Sequence, residues 1–407
     1  MIADFMTMDR ERPEWSPVSI PDATMTIGNL AARTAGMAVR ALLREAEAGP
    51  KPGLVDRFGP GVHTDMDISH FRLSAAVLGP YFKAITLESA LATVKTGKFI
   101  HPCRIDGRPG DRISDQTDDT FDSPVALAHR LRELGLQAES AMLTATGGVN
   151  THKGAIWTLG LLCAAVGSLA GGGYGKPGGI TQTTGQESRD APAGIRAFLY
   201  GLPDTETGLK QARAVCSQAA SLAKAILACQ LTPATNPAVA GSASNAVTPC
   251  MASERHSGLT NGLVARQVYG LRSARDEALD GFPSIQTLAL PLARTFRTST
   301  LHEDEKVISI LLAVMGKADD TCIVARGGLP ALRMAQSAAR QVLDAGGPTT
   351  GAGGILYRKL VADFKHQGLS PGGSADLCAA TLFLSEIEVG LASCLADDHK
   401  PGARPAN

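Results

Sequence analysis

The sequence predicts an all-α protein: a single large helical domain with long loop insertions and disordered tails. Apolar residues recur at helical spacing in successive blocks, and no segment shows the alternation that marks a half-buried strand. Aromatic residues make up only 4% of the 407 residues, so the core must be built from Ala, Leu, Val and Ile, which suit closely packed helices. The predicted divisions are a flexible N-terminal tail at 1–25, an all-helical domain at 26–396 and a flexible C-terminal tail at 397–407.

Each predicted helix has a local signal. Residues 26–48 carry apolar or small side chains at positions i, i+3, i+4 and i+7, and Gly49-Pro50 ends this helix. The next helix begins near Ser69, and a third begins at Ser123-Pro124, a cap residue followed by proline. Residues 155–170 are the most apolar stretch and predict a buried core helix. Further helices are predicted at 205–230, 303–316, 330–344, 354–366 and 374–396, and loops or insertions at 98–122, 171–204 and 232–255.

Composition and charge limit the classes of partner. The 39 Lys and Arg residues balance 39 Asp and Glu residues, which argues against binding of nucleic acid or of an anionic membrane by the whole surface. The stretch 155–170 is shorter than the roughly 20 residues that a membrane helix needs, and residues 1–25 contain no apolar region like that of a signal peptide. Eight cysteines form no CxxC pair and no zinc-finger spacing. We therefore expect a cytoplasmic protein with free thiols.

The first polar cluster lies between the first two predicted helices and reads PKPGLVD, then HTDMD. Prolines on both sides of Lys51 stiffen the backbone, and Gly53 allows a ligand to approach closely. His63, Asp65 and Asp67 alternate, so in an extended segment their side chains point to the same side. Two carboxylates and an imidazole on one face can hold a hydrated Mg²⁺. The alternative is a solvated loop whose Asp residues cap the next helix.

The second polar cluster is the segment GGVNTHKG, which runs directly into the apolar stretch 155–170. Asn150 or Thr151 is a natural N-cap. The N–H groups of the first helical turn, with Lys153 beside them, form an anion site without any Walker motif. His152 lies at the same helix start. The alternative is an ordinary capped and buried helix.

The remaining motifs are less specific. GGGYGK at 171–176 does not fit a P-loop, because that motif requires Gly and Ser or Thr at positions that hold Ala170 and Pro177. TDDT at 117–120 resembles the metal-binding carboxylate motif of ADP-ribosylglycohydrolases, and it keeps open an all-α metal-dependent hydrolase of ADP-ribose or nucleotides. Three glycine-bearing turns follow in the C-terminal half: YGLRSARDEA leading to GFP, ADDT preceding RGG, and LSPGGSADL. Together these turns can gather polar groups at one pocket.

Six of these segments, in this order, resemble the triphosphoribosyl-dephospho-CoA synthase family: PKPGLVD, HTDMD, GGVNTHKG, GFP after an ARxEA-type segment, RGG and LSPGGSADL. The resemblance covers residues 23–396. Members of the family make the precursor of the acyl-carrier prosthetic group of malonate decarboxylase or citrate lyase. The overall similarity favours the malonate decarboxylase branch.

The resemblance implies an enzyme whose substrates are ATP and 3′-dephospho-CoA. The ribose 2′-hydroxyl of dephospho-CoA attacks the anomeric carbon of ATP, adenine leaves, and the triphosphate stays on the transferred sugar. ATP is then a glycosyl donor, which fits the lack of a P-loop because no γ-phosphoryl group is transferred. The resemblance also implies Mg²⁺ with ATP, and the acyl-carrier subunit pathway proteins as partners.

Three sets of residues receive roles as hypotheses. The catalytic candidates are Glu277, His63 and His152. The candidates for binding ATP phosphates are Lys51, Gly53, Asn150, Thr151, Lys153 and Arg326. The metal candidates are Asp65, Asp67 and Asp320, with Asp376 as a further metal ligand or hydrogen-bond acceptor. A non-catalytic helical scaffold or carrier-protein docking module remains an alternative, but it has no need of so many Lys, His and Asp residues in turns.

Overall fold

A computed structural model describes residues 27–96, 124–172, 205–229 and 261–389. These residues contain twelve α-helices, and they form no β-strand beyond an isolated bridge between Asp56 and Gly59. The all-α prediction is therefore confirmed. The helices are α1 (Ile27–Glu47), α2 (Ile68–Thr96), α3 (Pro124–Ala145), α4 (Lys153–Gly172), α5 (Thr205–Cys229), α6 (Asn261–Tyr269), α7 (Ala274–Leu279), α8 (Leu290–Thr295), α9 (Glu303–Met315), α10 (Thr321–Asp344), α11 (Gly351–Gln367) and α12 (Gly372–Val389).

Helix α4 is the central helix of the core. Nearly every residue from 155 to 170 is buried, and α4 packs against α1, α2, α5 and α12. A Cβ on Gly167 would overlap the Thr86 carbonyl oxygen, and one on Gly171 would overlap the Ala90 carbonyl oxygen, both in α2. Glycine costs a helix about 1 kcal/mol relative to alanine, and here it lets two helix backbones touch. The predicted buried helix at 155–170 is confirmed.

Helix α4 is also, among the described residues, the one helix long and apolar enough to cross a membrane. Its most apolar stretch is 83% buried inside the protein. A core helix of this length meets the same criteria, and the packing of α4 among the other helices fits that role.

Helix α10 consists of two segments joined at a kink. Gly328 has φ 68° and ψ −172°, a conformation that is essentially restricted to glycine. Pro330 follows and begins the second segment, where its missing N–H costs nothing. The sequence predicted only this second segment, as a helix at 330–344. The first segment begins at Thr321, with Asp320 as its N-cap.

The other predictions agree with the structure to different extents. The predicted helices at 26–48, 205–230, 303–316 and 354–366 match α1, α5, α9 and α11 within a few residues. Helices α6, α7 and α8, a π-helical turn at Ile285–Ala289 and a 3₁₀ turn at Phe296–Thr298 were not predicted. The predicted tails and the loops at 98–122 and 232–255 lie outside the described residues. The part of the predicted loop 171–204 that follows Gly172, the last residue of α4, also lies outside the described residues.

Candidate active site

A cavity of about 260 Å³ lies where α4, α7 and α12 meet the turn between α9 and α10. Its wall contains four carboxyl groups, those of Glu277, Asp319, Asp320 and Asp376. All four come from the three C-terminal turns that the sequence predicted to meet at one pocket. The remaining lining residues are Thr158, Arg272, Ser273, Ala274, Pro283, Ser284, Lys317, Ala318, Thr321, Gly373 and Leu377.

Glu277 is held in the cavity wall by the short helix α7. Ser273 and Asp276 form a capping box at the start of this helix. Oε1 of Glu277 accepts a hydrogen bond from the Ser284 backbone N–H at 3.0 Å, whereas Oε2 is buried and has no partner in the described part of the chain. Burial raises the pKa of Glu277, and the hydrogen bonds from Ser284 and the charge of Arg272 oppose this rise. A carboxylate oxygen without a partner, on a group with a raised pKa, is suited to accept a proton.

Asp320 is fully engaged as a cap that joins two helices. Its Oδ1 accepts hydrogen bonds from the backbone N–H groups of Cys322 (2.9 Å) and Ile323 (3.2 Å) at the start of α10. Its Oδ2 accepts hydrogen bonds from the N–H (2.7 Å) and the hydroxyl (2.8 Å) of Ser374 in α12. Four donors occupy the carboxylate, so Asp320 does not fit the metal-ligand role that the sequence suggested for it.

Asp376 lies against the N-terminus of α4. The Ala155 backbone N–H donates a hydrogen bond to its carboxyl group, and a Cβ on Gly154 would overlap Oδ2. Burial raises the pKa of Asp376 well above its usual value, and the negative charges of Glu45 and Asp320 add to this rise. A protein side chain therefore occupies the helix N-terminus at which the sequence predicted a phosphate.

Lys51 and Gly53 make contacts within the protein and do not line the cavity. Lys51 Nζ donates to the Glu45 carboxylate at 2.7 Å and to the backbone carbonyls of Glu45 (2.6 Å) and Ala46 (3.4 Å), at the C-terminus of α1. The Lys51 side chain is only 1% exposed. Gly53 has φ 68°, and a Cβ there would overlap the Leu369 carbonyl oxygen. Gly53 therefore allows the backbone at Leu369 to approach closely, whereas the sequence suggested the close approach of a ligand.

The loop before α4 is organised by its own side chains. Asn150 Oδ1 accepts a hydrogen bond from the Lys153 backbone N–H at 3.2 Å, as expected of a capping residue. Lys153 Nζ pairs with Glu139 of α3 at 3.0 Å on the protein surface. Thr151 Oγ1 is buried, and none of the described residues forms a hydrogen bond with it. None of these predicted phosphate-binding side chains lines the cavity.

His152 is buried at the same helix start. Its Nδ1 lies 2.7 Å from Ser74 Oγ, and its ring meets the edge of Phe71 at a centroid distance of 5.0 Å. Nε2 is buried, and no hydrogen-bond partner for it lies within the described ranges. Burial and the nearby charge of Lys51 lower the pKa of His152 to about 3, so the imidazole is neutral at physiological pH. His152 is also absent from the cavity lining.

Asp67 caps helix α2. Its Oδ1 accepts hydrogen bonds from the Ser69 backbone N–H (2.9 Å) and hydroxyl (2.6 Å), and it lies 2.9 Å from His70 Nδ1. The hydrogen bonds from the side chains of Ser69 and His70 lower the pKa of Asp67. The capping alternative that the sequence left open is confirmed for Asp67. Asp65 is exposed, with 63% of its side chain accessible.

The structure brings His63 and Arg326 together, but neither residue lines the cavity. His63 Nε2 lies 3.0 Å from Ser370 Oγ, and the Arg326 guanidinium donates to the Gly368 carbonyl at 3.1 Å. Burial and the charge of Arg326 lower the pKa of His63, and Asp65 opposes this effect. Both side chains thus belong to a separate polar cluster near the start of α12.

Among the residues that the structure describes, no group of three or more His, Cys, Asp or Glu side chains is placed to hold a metal ion. Asp65, Asp67 and Asp320 are accordingly not brought together. Asp319 differs from Asp320 in having a free oxygen. Its Oδ2 accepts the Arg272 backbone N–H at 3.1 Å, and no hydrogen bond within the described residues occupies Oδ1.

Comparison with known proteins decides the family. Residues 31–394 match the family model described as ATP:dephospho-CoA triphosphoribosyl transferase. The chain belongs to this family. It is 34% identical over 366 residues to a probable 2-(5″-triphosphoribosyl)-3′-dephosphocoenzyme-A synthase of Azotobacter vinelandii, covering 90% of this chain and 95% of the relative. It is 32% identical over 346 residues to the 2-(5″-triphosphoribosyl)-3′-dephosphocoenzyme-A synthase of Klebsiella pneumoniae, covering 85% and 91%. No solved structure matches the chain significantly.

The triphosphoribosyl transferase family uses ATP and dephospho-CoA, which are both anionic. The cavity lining contains two cationic side chains, Arg272 and Lys317, that were not among the candidates from the sequence. The Arg272 guanidinium donates to the Asp280 carboxylate and to the Asp276 carbonyl. Lys317 is exposed and follows Gly316, the C-cap of α9. In the sequence, Lys317 directly follows the predicted helix 303–316 and precedes ADDT, but a single lysine at this place is not a specific signal. Arg272 lay within a segment already singled out, YGLRSARDEA.

Proposed function

We propose that this protein makes 2′-(5″-triphosphoribosyl)-3′-dephospho-CoA from ATP and 3′-dephospho-CoA with release of adenine. The reaction takes place in the cavity between α4, α7 and α12, in the cytoplasm. The product serves malonate decarboxylase, whose branch the overall sequence similarity favours. The observation that carries the choice of site is the buried Glu277 carboxyl, which has one oxygen without a partner among the described residues and lies in a cavity with two cations.

Glu277 is the proposed general base. The 2′-oxygen of dephospho-CoA forms a bond to the anomeric carbon of ATP, the bond from that carbon to adenine breaks, and the hydroxyl proton passes to Glu277 Oε2. A raised pKa suits this task, because a base works best when its pKa lies near the pH of the reaction. The hydrogen bond from the Ser284 N–H holds Oε1 and leaves Oε2 for the proton.

Arg272 and Lys317 are the proposed contacts of the triphosphate. Arginine fits phosphate oxygens with several donors, and lysine supplies a mobile point charge. Mg²⁺ bound with ATP would neutralise part of the triphosphate charge, and such an ion commonly needs only one or two protein carboxylates in addition to phosphates and water. Asp319 would fit that need, since no described residue donates a hydrogen bond to its Oδ1. Lys51 and Lys153 do not line the cavity, and Lys51 is buried against Glu45.

The assay combines the protein with ATP, Mg²⁺ and 3′-dephospho-CoA and measures free adenine by chromatography. Glu277→Gln is expected to lower adenine release by roughly 10²–10⁴-fold, the usual contribution of a general base. Glu133→Gln is the matched control: this residue is 60% exposed on α3, and the rate should stay at the wild-type value.

Other outcomes would redirect the proposal. Adenine release without dephospho-CoA would indicate the hydrolase alternative, with water as the acceptor. Stoichiometric ADP or pyrophosphate would contradict glycosyl transfer. Wild-type activity of Glu277→Gln would return the role of base to His63 or His152.

The pathway branch needs a separate test, because both branches use the same product. A strain that lacks this gene should lose growth on malonate as carbon source and regain it with the plasmid-borne gene. Loss of citrate lyase activity with normal growth on malonate would assign the protein to the other branch.

A further inference from the structure

The cavity wall holds two carboxyl groups in different electrostatic surroundings. Burial and the charge of Asp280 raise the pKa of Glu277, but the nearby charge of Arg272 and a hydrogen bond from Ser284 favour its carboxylate form. Asp376 interacts with two negative groups, Glu45 and Asp320, and has a single N–H donor. A nearby cation favours the carboxylate form, whereas nearby carboxylates favour the protonated form. The two groups are therefore suited to opposite proton-transfer roles.

We propose that the Asp376 carboxyl donates the proton that adenine needs to leave, so that Asp376 and Glu277 form the acid–base pair of the reaction. This proposal rests on the proposed function. The bond between the anomeric carbon and adenine breaks with its electron pair going to the base. The Asp376 proton passes to a ring nitrogen, and adenine leaves as a neutral molecule. The proton of the attacking hydroxyl goes to Glu277, and both carboxyl groups then exchange protons with solvent, so that no net proton is consumed.

The groups around Asp376 support the protonated form. Glu45 of α1 is paired with Lys51, which reduces its repulsion of Asp376 but does not remove it. Asp320, from the turn before α10, accepts four hydrogen bonds that favour its carboxylate form, although burial raises its pKa. The Ala155 N–H at the start of α4 acts in the other direction. Burial and the two carboxylates outweigh this hydrogen bond, and the pKa of Asp376 lies well above its usual value.

Asp320 is excluded from this role by its hydrogen bonds. Both of its oxygens accept hydrogen bonds from N–H or O–H groups, so it has no free position from which to hold and give a proton. Asp319 accepts the Arg272 N–H and lies next to Lys317 in the sequence, and it is the carboxylate proposed for Mg²⁺. Asp376 is thus the one remaining carboxyl of the described cavity lining that can act as the acid.

The test compares two donors whose bases differ in their need for a proton. ATP requires protonation of adenine. ATP methylated at N7 carries a fixed positive charge on its base, which leaves without a proton. With ATP, Asp376→Asn is expected to lower kcat by roughly 10²–10⁴-fold, and with the methylated donor it should turn over at close to the wild-type rate. Glu277→Gln should stay slow with both donors, because the hydroxyl still needs a base.

A pH profile provides the second measurement. For the wild type, log kcat with ATP should fall as rising pH removes the Asp376 proton, and this alkaline decline should be absent in Asp376→Asn. Equal losses with both donors, or a decline that persists in Asp376→Asn, would overturn the proposal. If the wild type releases no adenine from ATP, the proposed function fails instead.

Unfolding does not confound these outcomes. Asn keeps the shape of Asp and can accept the Ala155 N–H, and like the protonated Asp376 it places no charge beside Glu45 and Asp320. The thermal midpoint of Asp376→Asn should therefore equal or exceed that of the wild type at neutral pH. A large drop in the midpoint would show that Asp376 has a structural role, and it would contradict the assigned chemistry.

Discussion

Lys51→Met distinguishes a structural role from a phosphate-binding role at the same residue. The Lys51 ammonium donates to the carboxylate of Glu45 at 2.7 Å and to its carbonyl at 2.6 Å, and the two side chains are 1% and 5% exposed. Methionine keeps the apolar stem but leaves the Glu45 carboxylate buried without a counter-charge. Removing one partner of a buried ion pair costs roughly 3–5 kcal/mol. We expect the free energy of unfolding to fall by about that amount.

The assay is urea unfolding at fixed pH, with the KM for ATP measured in parallel. Lys153→Met is the matched control, because Lys153 also pairs with a glutamate, Glu139, but its side chain is 55% exposed. A surface pair of this kind is worth about 0–1 kcal/mol. The double variant Glu45→Gln/Lys51→Met should recover much of the stability, because the uncompensated charge is gone.

One result would refute this reasoning about Lys51. If Lys51→Met unfolds at the wild-type urea concentration and shows a clearly raised KM for ATP, the buried pair is not what stabilises this region. Lys51 would then regain the phosphate contact that the sequence suggested. Lower stability with an unchanged KM in the folded protein would confirm the structural role.

Two further predictions concern the same N-terminal loops. Gly53→Ala should lower the thermal midpoint more than Gly147→Ala does. Both glycines have φ near 67–68°, so an alanine at either position would be strained by about 1–2 kcal/mol. Of the two, only Gly53 faces another backbone within 4 Å, and overpacking there adds a cost of roughly 1–3 kcal/mol. Equal midpoints would contradict this. Asp67→Asn should keep both adenine release and thermal midpoint because Asn also caps helices, whereas Asp67→Ala should lower the midpoint. If Asp67→Asn lost activity and excess Mg²⁺ restored it, Asp67 would be a metal ligand.

The fold was largely predictable because helical periodicity is a local signal. The buried helix at 155–170 is apolar on all sides, and a helix of that kind has to lie in the core. The kink in α10 was harder to predict, because the sequence does not show whether Gly328 stays helical or adopts a non-helical conformation. Helix α7 spans only six residues, too few to display a period.

The site was predictable in part, and the reason lies in side-chain reach. Glu277, Asp320 and Asp376 were singled out because each lies in a turn beside a helix end, and such turns meet at one cavity. Lys51 was given the wrong surroundings, because the sequence does not show that its long side chain folds back onto the C-terminus of α1. Lys317 was missed because a single lysine at a helix end has no spacing pattern to identify it.

The cavity gathers four carboxyl groups, although the proposed substrate carries a triphosphate. Hydrogen bonding and protonation resolve this conflict. The charge of Asp320 is offset by four donors, and Asp376 favours its neutral form, so the wall is less negative than a count of its acids indicates. The remaining negative charge has a use, because glycosyl transfer builds positive charge on the anomeric carbon in an oxocarbenium-like transition state. Carboxyl groups near that carbon and cations such as Arg272 and Lys317 near the phosphates would each meet the charge that they stabilise. A site with only cations would bind ATP more tightly in its ground state, but it would oppose the bond breaking that releases adenine.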